Sequence, residues 1–187
     1  MTLPNILSCS RYFLAFPMAY FVWEAQWVAS ALILWIAIAT DISDGYIARI
    51  RNQTSVLGGL LDHSSDAFFV TFMLLALVHH DLIPVALPCF VLAAFLQYTF
   101  DSRALSGQPL RTSNLGRYNG ISYFVMGGFP VTQNALQIQL IPEAYFPWIA
   151  WGLVITTAIS MLDRLVTLLI SVNKVRREKT SGTPLNK

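Results

Sequence analysis

Charge is scarce in this chain. Of its 187 residues only 12% are Asp, Glu, Lys or Arg, where a soluble domain carries about 25%. Hydrophobic residues make up 55%, and the mean hydropathy is +0.56. So few charges cannot clothe a water-facing surface, which points away from a soluble protein and toward a membrane one. Cysteine is nearly missing as well. Cys9 and Cys89 lie in or beside apolar segments with no paired spacing. That excludes a disulfide framework or thiolate metal site and leaves two small hydrophobes expected to be buried. A net charge of +2 is too small to suggest nucleic acid. No A-x-A-like cleavage site follows the first apolar stretch, so that stretch is expected to stay in the mature chain. Internal repeats, low-complexity tracts and linkers are absent too, leaving one membrane domain over residues 1–187.

What is present is a series of apolar runs. Met1 to Arg11 is a short polar entry, and Tyr12 to Trp23 with part of that entry makes a first helix. Trp27 to Thr40 is nearly continuous hydrocarbon, and helix continues through Ala39 to Arg49. After a polar turn a third helix starts at Val56 and ends at Val78, and His79-His80-Asp81 forms a hairpin. Leu82 to Phe100 is a fourth span, with Pro84 and Pro88 early, where a helix start tolerates them. A fifth opens at Gly120 and is expected to break at Gly127-Gly128-Phe129-Pro130, with a loop from Thr132 to Glu143. Ala144 to Val172 is a sixth span, interrupted by Asp163-Arg164, and the basic tail beyond Asn173 is expected to fray. Several runs fall short of the ~20 apolar residues a span needs, so their polar ends must line a cleft away from lipid.

Lys and Arg are absent from alternate connections. Arg11, then Arg49 and Arg51, then Arg103, Arg111 and Arg117, then Lys174 to Lys187 fall at the start and after spans two, four and six. Glu24, His79 to Asp81 and Thr132 to Glu143 carry none. The positive-inside rule then gives an all-α protein with six transmembrane helices and both termini cytoplasmic. Trp23, Trp27, Trp148 and Trp151 fall near span ends, as interfacial anchors do.

Against that background one stretch stands out, Asp41 to Asp66, which holds four of the ten acids. A carboxylate at the edge of hydrocarbon costs a few kcal/mol unless compensated, and four together repel one another. Asp41 and Asp44 are i, i+3 and share a helix face with Gly45 and Ala48. Asp62 and Asp66 are i, i+4, with Gly58 one turn earlier on the same face. Two helices thus each present a carboxylate pair and a small-residue strip that lets a backbone or flat ligand approach. Four oxygen ligands suit one or two hard divalent cations, Mg²⁺ before Mn²⁺ or Ca²⁺. Mg²⁺ is usually shared between carboxylates and substrate phosphates, and Arg49 stands beside the first pair, placed to hold a phosphate. Carboxylates, metal and arginine at a membrane face suit displacement at phosphorus, with a spare carboxylate as base. The other reading is an ion path, a divalent-cation transporter, since intramembrane carboxylates commonly mark one. His63 sits about 100° round the helix from Asp62 and is expected outside the ligand set.

The pattern Asp41-x2-Asp44-Gly45-x2-Ala48-Arg49-x8-Gly58-x3-Asp62-x3-Asp66 resembles, at every position, the signature of the CDP-alcohol phosphotransferase family. The resemblance implies Mg²⁺-dependent transfer of a phosphatidyl group from a CDP-linked donor such as CDP-diacylglycerol to an acceptor alcohol, with loss of CMP. It implies that Asp41, Asp44 and Asp62 ligate metal, two ions in all, and that Asp66 lies at the metal and is the catalytic base. Gly45, Ala48 and Gly58 would leave room for the cytidine, Arg49 would contact the donor diphosphate, and Asn5 would join the donor-nucleotide set. It further implies a homodimer among membrane lipids, in the plasma (inner) membrane, with its site facing the cytoplasm. The opening Pro4-Asn5-Ile6-Leu7-Ser8-x2-Arg11 is similar to the N-terminus of phosphatidylglycerolphosphate synthases, which makes glycerol 3-phosphate the first acceptor to expect. Those enzymes often carry Lys after the last motif aspartate, where this chain has Ala67. Inositol phosphate, serine and phosphatidylglycerol are the other acceptors. A phosphorylated acceptor needs cations, and Arg103, Arg111, Arg117 and Arg164 are the candidates.

Overall fold

A computed structural model describes residues 3–51, 55–101 and 114–180. Six α-helices account for nearly all of them: α1 (Leu3–Trp23), α2 (Trp27–Ile50), α3 (Val56–Val78), α4 (Ala86–Asp101), α5 (Asn114–Ala135) and α6 (Phe146–Thr180). A single 3₁₀ turn, Glu143–Tyr145, precedes α6. The described residues form no strand.

Helix α3 is the hub. It packs against α1, α4 and α5, while α2 bridges α1 to α5 and α6 closes the far side on α4 and α5. Its Phe69, Met73, Leu74 and Leu77 are fully enclosed, together with Met18 and Val22 of α1, Leu34 of α2 and Val131 of α5. The outer faces carry the opposite pattern, with large apolar side chains such as Phe13 and Trp148 about three-quarters exposed. Apolar surface on that scale is unfavourable in water and natural in lipid. Helices α2, α3 and α6 each contain a window long and apolar enough to cross a membrane. The apolar stretch of α4 is shorter, and its 16 residues rise only about 24 Å.

Three tight connections share one backbone device. Ala25, Asp81 and Gln137 adopt left-handed conformations (φ 53°, 57° and 56°) after α1, α3 and α5 respectively. The first two turns meet: His79 stacks on Trp23 at 3.8 Å, and His80 Nε2 donates to the Val22 carbonyl at 2.7 Å. The end of the bundle opposite these turns is left for the acidic stretch.

Three expectations are corrected here. Helix α5 does not break at Gly127 to Pro130; it runs unbroken to Ala135 with Pro130 inside. The glycines serve close approach instead. A Cβ on Gly127 would meet Met73 Cε at 2.2 Å, and one on Gly128 would meet Leu34 Cδ2 at 3.0 Å, so both glycines seat α5 against α3 and α2. Helix α6 likewise runs through Asp163-Arg164, and its backbone stays helical to Thr180 instead of fraying from Asn173. Arg164 does not interrupt it because its guanidinium lies over the Tyr98 ring of α4, 4.7 Å from the centroid. The cysteines are free, as expected, but Cys89 is exposed and Cys9 only half-buried. On α4 an apolar thiol can face outward in lipid at little cost.

Candidate functional site

Helix α3 begins where Ser55 caps it, with extended backbone and a side-chain oxygen accepting from the Gly58 N–H at 2.9 Å. That cap fixes the phase of the helix and so sets where Asp62 and Asp66 project. Helix α2 runs on to Ile50 and brings Asp41 and Asp44 to the same end of the bundle. The four carboxylates converge as their spacing predicts.

They converge on a residue that spacing did not point to. The guanidinium of Arg11, on α1, bonds all four: Nη1 donates to Asp41 and Asp66, and Nη2 donates to Asp62 and, at 2.9 Å, to Asp44 Oδ2. Ser8 Oγ donates to the same Asp44 oxygen at 2.9 Å. Tyr12, next along α1, donates to Ser64 Oγ at 2.6 Å. The site is therefore built by three helices and not two. The place of Arg11 at the chain start suits an orientation charge, yet its side chain is 0% exposed. The available signal was the three-residue recurrence of Asn5, Ser8 and Arg11, which keeps them near one helix face.

The four acids are not equivalent. Asp41, Asp62 and Asp66 keep side-chain exposures of 43%, 38% and 25%, whereas Asp44 keeps 4%. The three open ones place carboxylate oxygens within 4.8 Å of one another. Hard divalent cations bind oxygens at about 2.0–2.6 Å, so the trio fits around one such ion, and an all-oxygen donor set selects that class of metal. Charge argues the same way. One guanidinium faces four carboxylates, leaving the cluster strongly negative when all are ionised.

The remaining expected residues fall around this centre. Asn5 lies against Gly58: a Cβ there would meet Asn5 Oδ1 at 3.2 Å and Ser55 Oγ at 3.0 Å. Arg49 is exposed and folds back along α2, its Nη2 3.9 Å from the place of a Gly45 Cβ. Ala48 lies on α2 between them, with its side chain outside the described set. Arg103 and Arg111 lie outside the described residues, and Arg117 is exposed in the first turn of α5. Arg164 is brought to the site's end of the bundle. The Tyr98 ring under it also stacks on His63 at 5.1 Å, and His63 directly follows Asp62. This column joins α3, α4 and α6, and the Gln97 side chain donating to the Met161 carbonyl at 2.9 Å braces it.

The chain matches the family model for CDP-alcohol phosphatidyltransferase over residues 1–161. It is 36% identical over 93 residues to the cardiolipin synthase (CMP-forming) of Rattus norvegicus, covering 49% of this chain and 31% of that protein. It is 37% identical over 76 residues to the CDP-diacylglycerol–glycerol-3-phosphate 3-phosphatidyltransferase of Aquifex aeolicus, covering 41% of this chain and 43% of that one. A longer alignment, 155 residues at 32% identity, joins it to a cardiolipin synthase (CMP-forming)/mitochondrial hydrolase fusion protein of Schizosaccharomyces pombe, covering 72% of this chain and 26% of that one. The chain thus spans less than half the length of these relatives. No solved structure matches it.

Proposed function

The chain belongs to the CDP-alcohol phosphatidyltransferase family, and from that premise we propose that it moves a phosphatidyl group from CDP-diacylglycerol to an acceptor alcohol, releasing CMP. The observation that carries this reading is the meeting of Asp41, Asp44, Asp62 and Asp66 in one partly open cluster at the end of α2 and the start of α3. Asp41, Asp62 and Asp66, with Asp44 behind them, would hold Mg²⁺, or Mn²⁺ in its place, as one or two ions. A bound divalent cation would supply charge neutralisation for the donor diphosphate.

The chain's own residues divide the remaining work. Asn5, Gly45, Ala48 and Gly58 form the floor for the cytidine, and Arg49 reaches the diphosphate as a planar donor. Asp66 accepts the proton of the acceptor hydroxyl. The hydroxyl oxygen then bonds to the phosphorus that carries diacylglycerol, the anhydride P–O bond breaks, and CMP leaves with that electron pair. The enclosing α1 and the apolar outer surface keep the donor's chains in lipid and its headgroup at the cluster.

Glycerol 3-phosphate is the first acceptor we propose. Arg164, held over the Tyr98 ring that stacks on His63 next to Asp62 in the chain, is the cation we assign to its phosphate, with Arg103, Arg111 and Arg117 on the connection before and at the start of α5. A lipid acceptor, phosphatidylglycerol, is the second reading, favoured by the identity to rat cardiolipin synthase. We place all six helices across the plasma (inner) membrane, with both termini and the site on the cytoplasmic side, and expect a homodimer. Purified protein given CDP-diacylglycerol, Mg²⁺ and separate acceptors tests the reading by mass spectrometry of the lipid product. Phosphatidylglycerol phosphate from glycerol 3-phosphate is expected. Cardiolipin from phosphatidylglycerol alone would establish the second reading, and no phosphatidyl product with glycerol 3-phosphate, phosphatidylglycerol, inositol phosphate or serine would overturn both.

A further inference from the structure

The role of Arg11 goes beyond the family signature, which begins thirty residues later in the chain. A guanidinium keeps its charge at any working pH and offers five N–H donors. Here the terminal nitrogens serve four carboxylates, and Nε is buried without a partner. The bonds are not disposed evenly. Three partners, Asp41, Asp62 and Asp66, are water-accessible, with carboxylate oxygens mutually within 4.8 Å. The fourth, Asp44, is buried and held at one oxygen by both Ser8 and Arg11. A divalent cation held by the three accessible aspartates shares the carboxylates that Arg11 engages, and it repels the guanidinium.

We propose that Arg11 is a built-in counter-cation: it holds the carboxylates together before metal binds, then yields Asp41, Asp62 and Asp66 to the ion while keeping Asp44. This rests on the metal dependence proposed above. Arg11 is thus a positioning residue that trades metal affinity for a site that stays assembled without metal. Removing one partner of a buried ion pair is strongly destabilising, because like charges are left uncompensated. Removing a competitor, by contrast, should tighten metal binding.

The test uses the full chain in lipid nanodiscs, with thermal unfolding in chelator and in Mg²⁺, and Mg²⁺ affinity by calorimetry. In chelator, Arg11→Gln should unfold roughly 5–10 °C below the wild type, and saturating Mg²⁺ should close most of that gap. Its Mg²⁺ affinity should be about tenfold tighter than the wild type's, within the usual range of site-to-site coupling. Arg11→Lys, with one nitrogen and three donors, should fall between the two, and it decides the matter if Arg11→Gln does not fold in either buffer. Equal or weaker Mg²⁺ binding by the folded variants, beside clear binding by the wild type, would overturn the counter-cation role and leave the metal reading standing. No Mg²⁺ binding by the wild type would remove the metal reading itself.

Discussion

Replacing Gly58 with Ala separates a role in nucleotide clearance from a role in helix packing. The added Cβ would lie 3.0 Å from Ser55 Oγ and 3.2 Å from Asn5 Oδ1, both closer than comfortable contact. Ser55 cannot retreat cheaply, because its oxygen caps α3 through the Gly58 N–H at 2.9 Å, and losing such a cap costs about 0.5–2 kcal/mol. The displacement therefore falls on Asn5, at the first turns of α1. Against this, Ala gains about 1 kcal/mol over Gly inside a helix. The two effects offset, so stability should stay within about 1 kcal/mol of the wild type, or roughly 2–4 °C in Tm for a chain of this size. Donor binding should not be spared. If Asn5 and Gly58 floor the cytidine, KM for CDP-diacylglycerol should rise about tenfold, which is about 1.4 kcal/mol, with kcat little changed, as expected for lost uniform binding. Initial rates of CMP release across donor concentrations, beside a thermal unfolding curve, read both quantities. An unchanged donor KM together with a raised Tm would leave Gly58 as a helix residue away from the donor.

Two further substitutions probe the reaction's two sides. Asp66→Asn keeps shape and removes the base, so turnover should fall about 10²–10⁴-fold while donor binding, measured by calorimetry with CDP-diacylglycerol, is largely retained; a fully active variant would remove the base assignment. Arg164→Ala should raise KM for glycerol 3-phosphate about tenfold, worth about 1.4 kcal/mol, and leave KM for the donor alone. An unchanged acceptor KM would return Arg164 to a packing role over Tyr98.

The carboxylate pairs were legible in the sequence because helical periodicity alone decides which residues share a face. Asp41 with Asp44 and Asp62 with Asp66 needed no knowledge of how α2 and α3 are placed, only that both are helices. Arg11 was not legible for the opposite reason. A lone arginine near the chain start fits the charge placement of a membrane protein equally well on the surface. Only the packing of α1 against both α2 and α3 reveals that it is buried among acids 30 to 55 residues away. The same limit explains α5. Glycine and proline read locally as breakers, but Gly127 and Gly128 answer to Met73 and Leu34 on other helices. Arg164 is a third case, since the ring that accommodates it lies on α4. Local pattern located the acidic cluster, and tertiary contact supplied its counter-charge and its neighbours.

If the aspartate cluster is a metal-dependent phosphatidyl-transfer centre, CMP release must depend on both the ion and the carboxylates. Purified protein in liposomes, supplied with CDP-diacylglycerol and glycerol 3-phosphate, should form CMP in Mg²⁺ and stop when the ion is chelated, and Asp66→Asn should slow that release about 10²–10⁴-fold. CMP-free incubations with every acceptor, alongside Mg²⁺ flux across the same liposomes, would instead make the four aspartates an ion path.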